Sequence, residues 1–345
     1  MPYVNFKPYI FYIPTTCSLY KQGCKQETVC GWDPGPFECD GLDRSIIEYM
    51  NTNVANGDLR NRLARMLVAI EKSILFDYER EKFQVGNTLK IFVAPEFYFR
   101  MPYLQQVAGN DYSLEDYYQL TAAFWTYFET FPKIHPDIPL KDWLFMCGTC
   151  VHYERSGCLK NEIMMFYFRS QGNLSLREVR KVHTSGIDGI YGDKDWNRSG
   201  TLFERKDPIM ERFHYLDEPK IIVEICVEHL YDTTKQLAMR YPGVKMVVLM
   251  AAGMPVKDDD KHLVPHVQYA RCDGMFYGGP ETMTEMFETD IRGRKMPQYS
   301  ARNRVSVCAF TTIDMTTIPS LVGMDGYVVV GPKTVATPTV FCYKL

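Results

Sequence analysis

The sequence has no long apolar run, little net charge and no internal repeat. No stretch approaches the roughly 18 uninterrupted apolar residues that a membrane span needs, so we expect no membrane partner. The 39 basic and 42 acidic residues leave a formal net charge of −3, which gives no reason to expect nucleic acid as the main partner. Linkers and low-complexity tracts are missing as well, so we expect one domain over residues 1–345.

Signals for secretion are also missing. The first residues carry one lysine and two early prolines, and they lack the basic start and small-residue cleavage site of a signal peptide. Eleven cysteines is an odd number, so they cannot all pair within one chain, and thiols fit a reducing compartment. We therefore expect a cytoplasmic protein.

Residues 14–42 differ in composition from the rest of the chain. Cys17, Cys24, Cys30 and Cys39 are interleaved there with glycine and proline, a composition typical of loops. Four cysteines can bind zinc, but no Cys-x2-Cys pair occurs among them and their spacing suits no common site. The segment is therefore predicted to be an irregular insertion, and we expect no metal and no cofactor.

Apolar periodicity predicts alternating helices and strands. Helical spacing extends from residue 43 to about residue 83 with a break at Asn56-Gly57, and again from Ser113 to Phe131, where Asp116 completes a variant of the capping box. Strands are predicted at 8–13, 89–94, 143–152, 163–168, 176–183, 221–225, 244–250, 304–313 and 326–330. Residues 184–217 and 272–300 are predicted to be loops. The alternation indicates a single α/β domain.

Three polar residues stand at or near the ends of predicted strands: Glu96, Lys181 and Cys226. Ligand and catalytic groups of α/β proteins gather at such ends. Each residue has a simpler explanation by itself, namely a solvated turn, an edge-strand guard and a buried thiol that fills space. Cys226 is followed by a predicted helix from Glu228 onward, whose N-terminal N–H groups favour thiolate over thiol. The three residues together predict a catalytic site.

The segments around these residues resemble the three signature segments of the nitrilase (carbon–nitrogen hydrolase) superfamily. They are Val93-Ala-Pro-Glu96, Val179-Arg-Lys-Val-His183 and Ile225-Cys-Val-Glu228, in the family's order. Asn161 and the segment from Val247 to Ala252 resemble secondary features of the same family. The resemblance covers roughly residues 8–330. It implies a four-layer α-β-β-α sandwich that forms homodimers or higher homo-oligomers.

The resemblance also implies a role for each residue. Cys226 is the nucleophile, whose thiolate attacks the carbon of an amide-like small molecule to form a covalent intermediate. Glu96 takes the thiol proton, passes it to the departing nitrogen and then activates water. Lys181 and the backbone N–H of Val227 stabilise the oxyanion. Strand alternation turns Arg180 to the opposite face, so it is a poor substitute for the lysine.

Substrate contacts are expected from Tyr98, Val227, Glu228, His229 and Asp188. Asp188 is the nearest acidic candidate for a second, supporting glutamate that many family members carry shortly after the lysine. Val227 stands where true nitrilases usually have tryptophan, which favours an amide or carbamoyl substrate over a nitrile. Nitrile hydrolysis, acyl transfer at the same site and a non-catalytic binding or scaffold relative stay open as alternatives.

Two other patterns favour structural roles. Cys147-Gly-Thr-Cys150 matches a redox Cys-x-x-Cys, but it lies within a predicted strand, where residues three apart point to opposite faces, and no helix follows it. His262 and His266 have helical i, i+4 spacing but no glutamate in a His-Glu-x-x-His pattern. A redox or metal site at either place is the weaker hypothesis.

Overall fold

The computed structural model describes most of the chain. The described residues are 3, 5–13, 15–21, 26–30, 41–80, 87–101, 111–155, 159–168, 172–183, 214–217, 219–254, 256–274, 284–296, 304–310, 313–314, 327–328 and 335–343. Only the backbone is described for 16–21, 26–30, 304, 313–314, 327–328 and 335–336. The predicted loop at 184–217 therefore lies outside the described residues, apart from 214–217.

The helices predicted within residues 43–83 and from Ser113 to Phe131 are present. The described helices are α1 (Arg44–Asn53), α2 (Gly57–Arg80), α3 (Leu114–Ile134), a 3₁₀ helix (Cys226–Tyr231) and α4 (Thr233–Arg240). At the start of α3, the Ser113 hydroxyl accepts the backbone N–H of Asp116 at 3.0 Å, and the Asp116 carboxylate accepts the N–H of Ser113 at 2.8 Å. The predicted capping box and the break at Asn56 are confirmed.

The strands, in chain order, are β1 (Asn5–Tyr12), β2 (Thr16–Lys21), β3 (Gln26–Cys30), β4 (Thr88–Val93), β5 (Trp143–Tyr153), β6 (Leu159–Phe168), β7 (Leu174–Arg180), β8 (Tyr215–Leu216), β9 (Ile221–Ile225), β10 (Met246–Ala251), β11 (Gln268–Asp273), β12 (Thr284–Thr289), β13 (Lys295–Met296), β14 (Arg304–Ala309), β15 (Ile313–Asp314), β16 (Tyr327–Val328), β17 (Val335–Ala336) and β18 (Thr339–Tyr343). A seven-stranded sheet has the order β14-β18-β1-β4-β5-β6-β7, and a six-stranded sheet has the order β13-β12-β11-β10-β9-β8. Two small sheets, β16-β2-β3 and β15-β17, complete the described strands.

Three apolar clusters define how the layers stack. The two large sheets face each other through fully buried side chains such as Val93 and Ile163 on one side and Val223 and Val248 on the other. The outer face of the seven-stranded sheet packs against α1, α2 and α3. The outer face of the six-stranded sheet packs against α4 and the segment 254–267. Two large sheets with helices are therefore present, and the predicted α/β class is confirmed.

The prediction for the segment 272–300 is wrong. A loop is expected there, but the described part contains β12, which pairs antiparallel with β11, and the short β13. Only Met286 and Phe287 are apolar in the six residues of β12, so its composition hides the strand. No described helix in residues 256–267 carries His262 and His266, which lie in turns, so their supposed helical spacing is also wrong.

The cysteine-rich segment is more regular than its composition predicts. Instead of an irregular insertion, β2 and β3 form an antiparallel hairpin, and β16 pairs with β2 from the far end of the chain. Residues 22–25 and 31–40 lie outside the described part. The glycine and proline residues cluster there, which is why composition alone predicts loop for the whole segment.

A β-bulge in β5 changes the geometry of Cys147 and Cys150. The pairing with β6 shifts between Met146 and Thr149, and Gly148 has a φ of +79°. As a result both cysteines lie in the helix-side cluster, and the expectation that they face opposite sides is wrong. Both are fully buried, and burial raises the pKa of each thiol well above its usual range. A thiol that stays protonated is a poor redox group.

None of the described helices combines the length and the apolar character needed to cross a membrane.

Candidate active site

The carboxyl ends of strands from both large sheets meet at one edge. β1, β4 and β5 run parallel in one sheet, and β9, β10 and β11 run parallel in the other. The N–H of Thr15, after β1, donates to the carbonyl of Gly274, after β11, at 2.7 Å. A Cβ on residue 274 would overlap the side chain of Thr15 and lie 3.2 Å from the Cβ of Pro95. Glycine therefore permits the sheets to approach this closely beside Glu96.

Glu96 stands in a tight turn after β4. Phe97, the next residue, has a φ of +60°, an uncommon backbone conformation for a side chain of this size. Its N–H donates to the hydroxyl of Thr149 at 2.7 Å, and the N–H of Phe99 donates to the carbonyl of Thr149 at 3.0 Å. The bulge in β5 thus positions Thr149 to hold the turn, and Glu96 is fully buried.

Glu96 and Lys181 are in direct contact. The Nζ of Lys181 lies 2.7 Å from Oε1 of Glu96, and neither side chain is exposed. The amide Nδ2 of Asn161 donates to the same carboxylate oxygen at 3.0 Å. The carbonyl of Asn161 also accepts the N–H of Lys181 at 2.9 Å, so one residue fixes both members of the pair. Two donors on one oxygen favour the ionised carboxylate.

Lys181 approaches the carboxylate from beyond the end of β7. The ring centroid of Phe97 lies 5.6 Å from its Nζ, within the range of a cation–π contact. Arg180 points to the other face, where its Nε lies 2.6 Å from Oε1 of Glu162. The predicted opposite orientation of these two cations is therefore confirmed for the side chains.

Cys226 follows β9 in a strained backbone conformation. Its φ is +51°, in the left-handed region that side chains other than glycine rarely adopt, and the residue is 3% exposed. Such strain, of order 1–3 kcal/mol, persists only where the surroundings impose it. Nothing in the residue types of 221–228 predicts this conformation.

The segment after Cys226 does not form the single α-helix that its spacing predicts. A 3₁₀ helix of six residues, Cys226–Tyr231, comes first, and Asp232 with a φ of +57° separates it from α4. The α-helix therefore begins only at Thr233. The expected support of a thiolate by the N-terminus of an α-helix is wrong, because no long helix starts at the cysteine.

Glu228 joins the segment of Lys181 to the segment of Cys226. Its Oε1 accepts the N–H of Val182 at 2.6 Å, and its Oε2 accepts the N–H of Ile225 at 2.9 Å. Burial raises the pKa of this carboxyl, although nearby His214, the two N–H donors and Lys181 partly offset that rise. One carboxylate thus ties the residue after the lysine to the residue before the cysteine.

The other predicted substrate contacts are placed differently. The hydroxyl of Tyr98 donates to the carbonyl of Arg62 in α2 at 2.8 Å, on the helix side of the sheet. His229 is fully buried, with Nδ1 3.0 Å from Glu224 and Nε2 3.3 Å from Asp260. These partners, like those of Glu228, favour structural roles over the predicted substrate contacts. Val227 is half-buried beside the cysteine, and Asp188 lies outside the described residues.

Two contributors to the site carry no sequence signal. Thr149 holds the turn after Glu96, and His214 lies between the backbones that lead to Lys181 and Cys226. A single threonine within a strand and a single histidine before one are ordinary in composition and spacing. Among the described residues, no group of three or more histidine, cysteine or acidic side chains is arranged to hold a metal ion.

Comparison with known proteins leaves the family open. No family model matches the sequence, and no curated protein matches it. A similar solved structure is glutamine-dependent NAD+ synthetase from Acinetobacter baumannii, in complex with ADP. The identity is 14% and the TM-score 0.37, over 69% of this chain and 40% of that chain. The chain therefore spans less than half of that enzyme, and a likeness this distant assigns no activity.

Proposed function

We propose that the protein is a cysteine hydrolase of non-peptide carbon–nitrogen bonds, with Glu96, Lys181 and Cys226 as its catalytic groups. The observation that carries the proposal is the buried Lys181–Glu96 pair at 2.7 Å, fixed by Asn161 at the edge where the strands end. The turn of Cys226 is tied to the same edge through Glu228. A buried charge pair costs desolvation, so its presence at the strand-end edge to which the turn of Cys226 is tied supports a chemical role.

The first half of the reaction forms a thioester. Glu96 takes the proton of the Cys226 thiol, and the sulfur attacks the carbonyl carbon of the substrate. The resulting oxyanion is stabilised by the Lys181 ammonium and the N–H of Val227. When the intermediate collapses, the carbon–nitrogen bond breaks and the protonated Glu96 gives its proton to the departing nitrogen.

The second half of the reaction hydrolyses the thioester. Glu96 takes a proton from water, whose oxygen attacks the thioester carbon. Collapse of the second oxyanion breaks the carbon–sulfur bond, and the proton held by Glu96 returns to the sulfur. Substrate and water are converted to a carboxylic acid and ammonia or an amine, with no cofactor.

The resemblance to the nitrilase superfamily supports the finer parts of the proposal. On that basis the layers form the family's four-layer sandwich, and the chain assembles as a homodimer or higher homo-oligomer. Val227 in place of tryptophan favours a small amide or carbamoyl substrate over a nitrile. Asp188 stays the candidate for the supporting carboxylate. Light scattering of the purified protein tests the oligomeric state, and a monomer would contradict it.

The function is tested by ammonia release from a panel of small amides, carbamoyl compounds and nitriles. We expect turnover by the wild type and none by Cys226→Ala. Cys272→Ala is the matched control, because Cys272 is also buried but its Sγ lies near the carbonyl of Phe11 within the sheets. Turnover by Cys226→Ala would refute the proposed nucleophile. Repeating the assay with an added amine separates hydrolysis from acyl transfer, since transfer yields a new amide.

A further inference from the structure

His214 is a fully buried histidine whose two ring nitrogens both face backbone carbonyls. Its Nδ1 lies 2.8 Å from the carbonyl oxygen of Val223, and its Nε2 lies 2.9 Å from the carbonyl oxygen of Arg180. Both distances are those of N–H···O hydrogen bonds. The imidazole therefore lies between two strands and contacts both: β9, which leads to Cys226, and β7, which leads to Lys181.

A carbonyl oxygen accepts hydrogen bonds and never donates one. A neutral imidazole has one N–H and one lone pair, so it can satisfy one of these carbonyls and must present its lone pair to the other. Only the imidazolium, which carries a proton on each nitrogen, donates to both. The geometry of the two carbonyls thus selects the charged form of the ring.

A counter-charge for this imidazolium lies beside it. Oε2 of Glu228 is 3.4 Å from Nδ1 of His214, and both side chains are fully buried. The carboxylate accepts N–H groups on both of its oxygens, from Val182 and Ile225, as an ionised group does. Lys181 is the other charged group whose field reaches Glu228.

His214 and Glu228 bind the same two segments from both sides. The ring nitrogens of His214 lie within hydrogen-bond distance of the carbonyls of the residue before Lys181 and of Val223 in β9, while Glu228 accepts from the residue after Lys181 and from Ile225 of β9. Four polar contacts therefore hold the end of β7 on the end of β9. These strands belong to different sheets, so no ladder of backbone hydrogen bonds sets their spacing.

We propose that His214 is a positioning residue, held as an imidazolium against Glu228, which sets the placement of Lys181 relative to Cys226. The proposal rests on the proposed function, because it assigns the pair the task of aligning that function's lysine and nucleophile. His214 touches no reacting atom. Its charge matters because only a ring with two N–H groups bridges both strands.

The protonation of His214 is tested without any substrate. Nitrogen-15 NMR of the histidine-labelled protein, recorded at neutral pH, reports directly whether each ring nitrogen carries a proton. We expect the His214 ring to carry a proton on both nitrogens, with its signals assigned by their loss in His214→Gln. A ring with a single proton at neutral pH would overturn the proposal.

The positioning role is tested by the pH profile of Cys226 alkylation with iodoacetamide. We expect His214→Gln, which is neutral and cannot donate to both carbonyls in the same way, to slow alkylation at about pH 6 by about tenfold, the loss of thiolate that one pKa unit gives. His152→Gln is the matched control. His152 is also buried and lies 3.1 Å from a glutamate, Glu162, but on the helix side of the sheet.

The outcomes separate the two proposals. A profile that moves in His214→Gln but not in His152→Gln, at similar losses of melting temperature, supports the positioning role. An unchanged profile overturns it. If wild-type Cys226 reacts like an ordinary thiol while His214 keeps both protons, the proposed function fails, and His214 is then a structural ion pair only. Should His214→Gln fail to fold, Glu228→Gln provides the second variant, with the same expected shift.

Discussion

The ammonium of Lys181 lies 2.7 Å from the carboxylate of Glu96, and both side chains are completely buried. The two residues come from the ends of different strands of one sheet, and Asn161 contacts both of them. The pair is expected to affect both the stability of the fold and the reactivity of Cys226.

Removing one member of the pair is expected to destabilise the protein strongly. Lys181→Met leaves a buried carboxylate without its cation, and Glu96→Leu leaves a buried ammonium, each at a cost of about 3–5 kcal/mol. The double variant removes both charges and should recover most of that loss. Urea unfolding of the wild type, the two single variants and the double variant measures the coupling free energy between Lys181 and Glu96.

The exposed pair Arg44 and Glu48 is the control, because Arg44→Met should change the free energy of unfolding little. Additive losses in the double variant would contradict the prediction.

The strained backbone of Cys226 predicts an unusual order of stability. Glycine adopts a positive φ without cost, whereas alanine pays about 1–2 kcal/mol for its Cβ. We therefore expect Cys226→Gly to unfold at a higher urea concentration than Cys226→Ala.

Ala251 ends the neighbouring strand β10 without a positive φ and serves as the control. There Ala251→Gly should destabilise by about 0.5–1 kcal/mol, the ordinary effect of glycine in a strand. If Cys226→Gly is likewise less stable than Cys226→Ala, then Cys226 does not have a left-handed backbone conformation.

Gly274 allows the two sheets to meet beside Glu96. In Gly274→Ala the new Cβ overlaps the side chain of Thr15 and crowds Pro95, so we expect a loss of about 1–3 kcal/mol in the free energy of unfolding. Thr15→Ala removes the nearest atom and should restore part of the loss in the double variant. Gly57→Ala is the control, because the φ of Gly57, like that of Gly274, is not positive, and the nearest atom to its new Cβ, Nη2 of Arg60, lies 3.9 Å away. Equal losses at positions 274 and 57 would show that crowding is not the cause.

The free energy of unfolding of the protein is expected to depend on pH through the protonation of His229. Burial opposes its charge, but hydrogen bonds and charge interactions with Glu224 and Asp260 outweigh it, and the pKa is raised above 6.5. A raised pKa means that the folded state holds the proton more tightly. The stabilisation is therefore complete below about pH 6.5, the unfolded value, and is lost as pH rises through the folded value.

We expect the difference in free energy of unfolding between wild type and His229→Gln to shrink as the pH is raised above about 6.5. The pKa of Asp260 is lowered, so that carboxylate stays ionised over this window and does not contribute to the trend. His262 and Asp232 lie beside the same network and are left unchanged. The exposed His266 provides the control variant, His266→Asn. A difference that grows with pH would contradict the assignment.

The sequence predicts the parts of this fold that depend on local periodicity. The apolar stripe of α2, the capping box of Ser113 and the buried run of β9 each have a pattern that one conformation fits. The three motif segments likewise single out Glu96 and Lys181, which the fold brings into contact. Local patterns and short motifs therefore identify which residues matter.

The sequence does not predict what depends on contacts between distant segments. The strand β12 is stabilised by pairing with β11, which its polar composition does not reveal. The bulge at Gly148 reverses the face of one cysteine, and the left-handed residues Cys226 and Asp232 break a pattern that is helical in spacing. His214 gains its role from two carbonyls, of Arg180 and Val223, and from nothing in its own sequence neighbourhood.

The most direct test of the account is the reactivity of Cys226. The native protein is labelled briefly with iodoacetamide at about pH 6, and the alkylated cysteines are mapped by mass spectrometry. An ordinary thiol with a pKa near 8.5 is almost fully protonated at this pH, so fast labelling identifies an activated thiolate. The reference rate is that of an unstructured cysteine peptide at the same pH; Cys308, whose pKa is raised to about 11 by burial, is expected to stay unlabelled.

We predict that Cys226 is alkylated first and that Lys181→Ala and Glu96→Ala change its rate. Each variant is checked for folding by its urea transition, because loss of one charge is expected to destabilise the protein. If Cys226 reacts no faster than the cysteine peptide, or reacts at the same rate in folded Lys181→Ala and Glu96→Ala, then the three residues do not form a catalytic site.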